Sequence, residues 1–297
     1  MAISAGLTYG AAGNREDLMD VITNISPVDT PMFTMFRKEK ARATLHEWMT
    51  ESLADAASNA AVEGADFSYG LLTARSRVTN NTQIFTKTWK VSETQEAVDK
   101  AGVESEYARR MQNALKEAAR DIEYALVNGT GNSGASGTAR ELKGVLSFIT
   151  TNVETGSGTG TQALTESMYN DLLQTVYAAG GNPDVTFANG WQKRKISAFS
   201  TPSTRNIDAE DKRIVAAVDV YESDFGLQTI KLDRYMATDK VAVLESDKWA
   251  IAVLRPVAAV QDIAKDSDSL KGAVVGELTL TSYNEAASGK ITELTTS

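Results

Sequence analysis

The chain has 297 residues and a net charge of -9, which is long enough to bury one large core or two ordinary ones. Hydrophobic residues at 42% and charged residues at 23% indicate a globular composition. The acidic balance argues against a free nucleic-acid-binding protein, since such proteins usually carry a basic excess. With no cysteine and one histidine, disulfides, thiolate metal sites and multi-histidine zinc sites are excluded. No apolar run approaches the roughly 18 residues of a membrane span, and the first residues lack the pattern of a secretory signal.

The N-terminal residues predict an arm. Residues 1–13 are small and glycine-containing, which favours an extended chain. Asn14 is a suitable cap for a short helix with Leu18, Ile22 and Ile25 on one face, and Pro27 ends it. The following stretch SPVDTPMFTMF, residues 26–36, lies around two prolines and is expected to be extended.

Residues 40–92 predict a long hairpin with a flexible tip. Residues 54–65 are alanine and polar residues, which cannot bury a core of their own. Residues 75–92 return as a strand-like segment with alternating apolar side chains. A loop of this length in a compact monomer is uncommon and is usually functional. Its charges are segregated: a basic cluster at the start, an acidic first limb and a basic return, namely Arg37, Lys38, Lys40, Arg42; Glu47, Glu51, Asp55, Glu63, Asp66; Arg75, Arg77.

The strongest helix pattern covers Val103 to Asn128. Its apolar residues recur at steps of three and four along a single stripe, so we expect the helix to lie on a sheet. At about 1.5 Å per residue it would be roughly 37 Å long. Asn128-Gly129 is expected to end it, because both residues tolerate the left-handed conformation common at helix C-termini.

The remaining chain alternates helices and strands and ends β-rich. Gly144 to Thr150 is a short strand candidate. Thr165 is expected to cap a helix that runs to Gly180 with Tyr169, Leu172, Leu173 and Val176 inward. DVTFANG and WQKRKISAF predict a strand, a turn and a short helix. The last third contains five strand patterns, and DFG at 224–226 predicts a hairpin turn between two of them.

The surrounding sequence argues against each apparent catalytic or nucleotide-binding motif. NGTGNSGASGT, residues 128–138, contains G-x-G-x-x-G but follows a helix instead of opening one, and the negative end of that helix repels phosphate. Ala135 occupies the position of the P-loop lysine, so a flexible connector is expected. DFG lacks a kinase catalytic loop. His46 lacks a nucleophile elbow and is expected to be a surface or packing residue. No acidic pair has the spacing of a metal or glycosidase site, so no catalytic, metal or cofactor residue is assigned.

Charge segregation favours contact between subunits. Complementary patches across a subunit boundary set register and suppress wrong partners, whereas a solvated hairpin gains little from them within one chain. An ordinary charged surface loop remains the alternative at each residue. The arm and the hairpin each need something outside the monomer to pack on.

The order of arm, hairpin, long helix and β-rich remainder resembles the tailed-bacteriophage major capsid proteins of Hong Kong 97 type. NREDLMDVITNISPVDTPMFTMF, residues 14–36, is similar to the opening of one phage major head protein subfamily. DKWAIAVLRPVAAVQDIAKDSDSLKGAVVGELTLTSYNEAASGKITEL, residues 247–294, is similar to the end of the same subfamily. The resemblance is weakest at 130–165 and 200–212.

The resemblance implies an α+β phage capsid fold in four parts. These would be an N-terminal arm, 1–39; an E-loop, 40–95; a P-domain, 96–144 and 236–268, with the spine helix 103–128; and an A-domain with the C-terminal strand, 145–235 and 269–297. The basic cluster from Arg37 to Arg42 would lie at the root of the E-loop, and Glu47 through Asp66 would run over a neighbouring subunit. Gly276 to Asn284 would close a sheet.

The family implies a structural protein without enzymatic activity. Its partners would be copies of itself, assembled in the host bacterial cytoplasm as hexamers and pentamers around packaged double-stranded DNA that is bound without sequence specificity. Because this chain shows no long N-terminal scaffolding segment, a separate scaffolding protein is expected, together with a portal and, in some heads, a decoration protein. No membrane partner and no Lys-to-Asn cross-link is predicted. The alternatives are an encapsulin shell of the same fold and an acid-based hydrolase, for which the chain supplies no nucleophile with its base.

Overall fold

The computed structural model describes residues 29–54, 56–64, 66, 69–70, 73–98, 102–156, 162–199, 219–260, 263–264 and 267–296. Within them the helices are α1 (Pro31–Met35), α2 (Glu93–Ala97), α3 (Glu106–Asn128), α4 (Val145–Phe148), α5 (Glu166–Ala178) and α6 (Gly190–Ser197). The strands are β1 (Arg37–Lys40), β2 (Leu45–Thr50), β3 (Ser76–Asn81), β4 (Gln83–Ser92), β5 (Thr130–Asn132), β6 (Glu141–Lys143), β7 (Val153–Thr155), β8 (Val185–Ala188), β9 (Val220–Ser223), β10 (Gly226–Leu232), β11 (Val241–Leu244), β12 (Trp249–Val260), β13 (Ser269–Ser282) and β14 (Gly289–Thr292). No helix in these ranges is long and apolar enough to cross a membrane.

Helix α3 packs on a four-stranded sheet with the order β1-β12-β13-β4. Its buried stripe steps by four through Ala114, Ala118, Ile122 and Leu126, as the sequence predicts. The helix begins three residues later than predicted, because the Ser105 side chain accepts a hydrogen bond from the backbone N–H of Ala108 and caps it there. The one-sided apolar stripe therefore does lie on a sheet.

The second sheet has six strands in the order β7-β14-β11-β8-β10-β9. Helix α5 packs on it, and its inward residues Tyr169, Leu172, Leu173 and Val176 are all buried. Thr165 caps this helix as predicted, by accepting from the N–H of Met168 at 3.3 Å. The predicted DFG turn joins β9 to β10 in an antiparallel hairpin, and α6 is the predicted short helix.

The strands are shared between the two sheets differently from the prediction. β11 was expected beside the long helix within 236–268, but it pairs with β8 and β14 in the six-stranded sheet. β13 lies within 269–297, the range assigned to the A-domain and the C-terminal strand, and it pairs with β12 and with β4 in the four-stranded sheet. Strand patterns reveal where strands are, whereas the choice of partner depends on register and on long-range burial. The segment Gly276 to Asn284, expected to close a sheet, lies as far as Ser282 in β13, a central strand of the four-stranded sheet.

Three local predictions are wrong for identifiable reasons. SPVDTPMFTMF was expected to be extended, but α1 forms with Pro31 at its start, where a proline costs no backbone hydrogen bond. Gly144 to Thr150 was expected to be a strand, but contains α4. The hairpin comprises only β2 and β3; β4 is instead an edge strand of the four-stranded sheet, paired with β13 over ten residues. Periodicity over four to eight residues cannot separate these possibilities.

The glycine-rich segment is a structured hairpin and not the plain connector expected. β5 and β6 pair antiparallel, and Gly131 and Gly134 adopt φ of 80° and 73°, which only glycine adopts without strain. Gly129 ends α3 at φ -52°, so the expected left-handed terminus is wrong. Glycine is needed there for space, because a Cβ would lie 2.4 Å from the Leu142 carbonyl oxygen and 2.7 Å from that of Ala125.

Candidate inter-subunit surface

The β2–β3 hairpin is joined to the four-stranded sheet by a buried root. Trp48 donates its indole N–H to the carbonyl oxygen of Ser282 at 2.8 Å, and its ring lies 6.2 Å from that of Phe148. An amphipathic tryptophan with its N–H satisfied contributes both apolar burial and direction. The hairpin therefore leaves the sheet at a defined angle.

Asn80 makes the second attachment of the hairpin. It is 3% exposed, donates to the carbonyl oxygens of Leu280 at 2.7 Å and Lys143 at 3.1 Å, and accepts from the N–H of Lys143 at 2.8 Å. One side chain thus satisfies backbone groups of β13 and of the end of β6. Buried polar networks that are fully satisfied rigidify the structure around them.

A buried ionic cluster lies beside the hairpin root. Glu277, 4% exposed, accepts from the Thr82 hydroxyl at 2.7 Å, from Arg140 at 2.8 Å and from Arg255 at 3.1 Å. Thr82 is the residue between β3 and β4, and its N–H donates to Thr44 at 2.8 Å. The carboxylate is therefore paired and hydrogen-bonded, as a buried charge must be. Sequence reasoning did not find Glu277, because no spacing connects it to Arg140.

The basic cluster assigned to the hairpin root lies mainly in the sheet. Arg37, Lys38 and Lys40 belong to β1, which pairs in parallel with β12; Arg42 is exposed in the link to β2. Arg37 lies over the Tyr283 ring at 5.1 Å. Lys38 donates to the carbonyl oxygens of Phe33 and Phe36, and burial lowers its pKa while attraction to Glu123 opposes that shift.

Four of the predicted charges pair with each other across the hairpin. Arg75 lies 2.8 Å from Glu51, and Arg77 lies 3.6 Å from Glu47. The register places these residues on facing limbs. Charges that are segregated along the sequence therefore pair with opposite charges across the hairpin. Exposed pairs of this kind contribute about 0–1 kcal/mol. These four side chains therefore have ion-pair partners within their own chain, although each pair adds little stability.

The hairpin tip keeps the remaining acids free. Glu63 and Asp66 are exposed and belong to no ion pair among the described residues; Asp55 lies outside those residues. Leu53, Val62 and Tyr69 are 93%, 79% and 93% exposed. Single exposed apolar residues are ordinary, but here they accompany a segment whose described residues from 51 to 75 are all exposed. The tip contributes nothing to either core.

His46 packs against the sheet as expected for a structural histidine. Its Nε2 lies 3.4 Å from Glu39, and its ring lies 5.6 Å from that of Trp48. Burial acts to raise the pKa of Glu39, but hydrogen bonds from the Thr281 and Tyr283 hydroxyls and the neighbouring His46 hold it below its ordinary value.

Along part of the face of the four-stranded sheet opposite α3, the described side chains are exposed or half-buried, and we call this stretch the open face. Facing residues of β4, β13 and β12 are half-buried or exposed along it: Ile84, Thr86, Thr88, Ala273, Val275, Ala258 and Val260. Ile84 is 47% and Val260 is 40% exposed. At one end Lys90 lies directly opposite Lys271, and like charges at that position disfavour the pairing.

The arrangement of a long helix on one sheet, a second α/β layer and a projecting hairpin defines the phage capsid fold of Hong Kong 97 type. Among solved structures it is similar to the cyanophage A-1(L) capsid asymmetric unit, at TM-score 0.71 and 14% identity with 95% of this chain and 97% of that chain covered. It is also similar to the capsid of a native GTA particle, at TM-score 0.68 and 14% identity with 99% and 100% covered. The predicted α+β capsid fold is therefore confirmed.

The family follows from the sequence comparisons. Residues 5–295 match the model described as SU10 major capsid protein. The chain is 24% identical over 336 residues to the major capsid protein of Escherichia phage Phieco32, covering 95% of each. This chain belongs to the SU10 major capsid protein family. It is a structural component of the phage virion that self-associates into the head, and the family is not enzymatic. These relatives give no support to the encapsulin or hydrolase alternatives.

Proposed function

We propose that copies of this chain assemble as hexamers and pentamers into an icosahedral head that encloses packaged double-stranded DNA. The observation that carries the proposal is the hairpin tip, whose exposed acidic and apolar side chains have no packing partner in the described part of their own chain. A net charge of -9 suits a shell that contains DNA without gripping its phosphates, because many phosphate contacts would make binding tight and salt-dependent.

The hairpin is proposed to act as an E-loop that lies over a neighbouring subunit. Its root is set by Trp48 and Asn80, so its direction is preorganised and little conformational freedom is lost in docking. The Glu51–Arg75 and Glu47–Arg77 pairs stiffen the limbs. Glu63 and Asp66, and from the sequence Asp55, remain for contact with the neighbour.

The open face is proposed as the surface that receives this hairpin. It offers a half-buried apolar strip for residues such as Leu53 and Val62. Lys90, which is exposed at one end of this face, offers positive charge to an acidic tip. Apolar contact with charge complementarity at the rim is the usual composition of a specific protein interface.

The further partners follow from the family expectation. A separate scaffolding protein and a portal, with a decoration protein in some heads, would complete assembly in the host bacterial cytoplasm. The division into arm, E-loop, P-domain and A-domain is proposed to describe how the subunit is used in the shell. Here β11 and β14 would accompany the A-domain sheet, and β12 and β13 the P-domain sheet.

Deletion of residues 54–65 tests the proposed function. The hydrophobic clusters of the described residues do not include this segment, so we expect the deleted chain to fold with unchanged circular dichroism and unfolding midpoint. Closed particles should be absent by negative-stain electron microscopy and sedimentation. A matched control replaces residues 54–65 by a Gly/Ser segment of equal length, which keeps reach but removes Val62 and the acids. Normal particles from the deleted chain would disprove the inter-subunit role of the hairpin.

A further inference from the structure

Glu123 joins helix α3 to the root of the N-terminal arm, defined here as residues 29–36. Its side chain is fully buried. Its two carboxylate oxygens accept hydrogen bonds from the backbone N–H groups of Met32 at 2.7 Å and Phe33 at 2.9 Å. These N–H groups belong to the first turn of α1 and have no partner within that helix. One side chain of α3 therefore holds the start of α1.

A second buried carboxylate is near enough to raise the pKa of Glu123 by repulsion. Asp233, 1% exposed, follows β10 and accepts from the N–H of Tyr235 at 2.8 Å through Oδ1. Its Oδ2 is buried and has no hydrogen-bond partner in the described structure. Burying a carboxylate charge without a compensating cation or proton costs free energy.

The surrounding cations are engaged elsewhere. Lys38 donates to the carbonyl oxygens of Phe33 and Phe36, Arg120 to the Tyr235 hydroxyl at 3.1 Å, and Arg234 pairs with Asp29 at 2.7 Å. Lys231 approaches the Met35 sulfur at 3.5 Å. Lys38 attracts Glu123 and Asp233 repels it, but neither buried carboxylate has a cation within ion-pair distance among the described residues.

We propose that Glu123 and Asp233 form a proton-binding switch that holds the arm root on helix α3 at acidic pH and loosens it as the pH rises above neutrality. A protonated carboxyl needs no cation and still accepts a hydrogen bond from α1. A pair of carboxylates at this position repel each other, and releasing the arm root lets water reach them. A proton bound to these carboxylates would remove the uncompensated buried charge.

The direction of the pH effect follows from linkage. Burial raises the pKa of Glu123 to about 7, against the hydrogen bonds from Phe33 and Met32. Burial likewise raises the pKa of Asp233 to about 6, with Asp29 adding to the shift. Both pKa values return toward their ordinary values of 4.5 and 3.8 when the site opens, so the closed state takes up protons. The closed state is therefore favoured below pH 4 to 5, and this preference is lost as the pH rises through 6 and 7.

The test is hydrogen exchange of the purified full chain at pH 6 and pH 8, corrected for the intrinsic pH dependence of exchange. Peptides over residues 29–36 report the arm root, and peptides over α5 serve as an internal reference. From pH 6 to pH 8 we expect protection of the arm root to fall about tenfold through Glu123 and about another twofold through Asp233. Protection of α5 should not change.

Substitutions separate the two carboxylates from a general effect of pH. In Glu123→Gln, protection of the arm root should fall only about twofold from pH 6 to pH 8, because Asp233 remains. In Asp233→Asn, it should fall about tenfold, because Glu123 remains. Glu117→Gln changes an exposed glutamate on the same helix and should keep the full dependence. If Glu123→Gln does not fold, the wild-type chain and Asp233→Asn still decide the question.

Two results would overturn the proposal. The first is arm-root protection in the wild-type chain that stays the same between pH 6 and pH 8, or a tenfold change that persists in Glu123→Gln. The second is recovery of protection at pH 8 on adding Mg²⁺ or Ca²⁺, which would assign the position to a metal ion instead of a proton.

Discussion

Gly129 shows how one residue can be predicted correctly for the wrong reason. It ends the long helix as the sequence predicts, but its φ of -52° is accessible to any residue. Its requirement is for close approach, because α3 and the start of the β6–α4 connection meet there without room for a side chain. Such a requirement is set by residues 13 to 15 positions further along the chain and leaves no local pattern.

Gly129→Ala should therefore destabilise the chain. A Cβ only 2.4 Å from the Leu142 carbonyl oxygen forces the backbone to shift, and overpacking of this kind costs about 1–3 kcal/mol. Gly190→Ala is the matched control, since a Cβ there meets nothing within 4 Å. We expect a lower urea midpoint for Gly129→Ala and an unchanged or higher one for Gly190→Ala. Equal midpoints for the two variants would refute the steric explanation.

For the hairpin, the sequence pattern predicts the limbs but not how they attach to the sheet. The alternation and charges of residues 40–92 predict a long hairpin with a tip that has no core; β2 and β3 form a hairpin within this range, whereas β4 belongs to the sheet. Its attachment depends on Asn80 reaching Leu280 and Lys143, which are 200 and 63 residues away. Side-chain to backbone bonds over such distances have no sequence signature. The same applies to Glu123, whose bonds to α1 span about 90 residues.

Asn80→Ala should weaken the hairpin root. The Lys143 N–H would lose its acceptor and two buried carbonyl oxygens their donor, and leaving buried polar groups unpaired costs about 1–3 kcal/mol. Asn81→Ala, at the next residue of β3, is the control. Urea unfolding should show a loss for Asn80→Ala only. Proteolysis between β2 and β3 should also be faster in that variant; an unchanged cleavage rate would argue against a fixed root.

At the scale of the whole molecule, the subunit presents a projecting acidic tip and an open sheet face with a basic end. Two different surfaces that complement each other make a heterologous contact, which closes into rings when the rotation allows it. In the proposed assembly, one chain would supply both sides of the contact between hairpin and sheet. The tip has no core of its own, and Lys90 at one end of the open face is exposed.

Charge reversal tests this complementarity. Lys90→Glu should lower particle yield by about tenfold or more, because an acidic tip would then face an acid, and like-charge juxtaposition at an interface costs several kcal/mol. Glu63→Lys should do the same, and the combined variant should recover assembly. Lys116→Glu, exposed on α3 on the other side of the sheet, should assemble normally. Failure of the combined variant to recover, with each single variant folded, would place the tip on another surface.

The sequence by itself determined the elements that depend on neighbours in the chain. These include the long helix with its single apolar stripe, the Thr165 cap, the DFG turn and the hairpin limbs, since capping and periodicity act over one to four residues. The ordered similarity of these elements to one family also identified a capsid protein. The tertiary structure alone decided which sheet β11 and β13 join, which glycine needs space, and that Glu123 accepts hydrogen bonds from the arm root. Those outcomes depend on pairing and burial between residues far apart in the chain, where local preference carries no information.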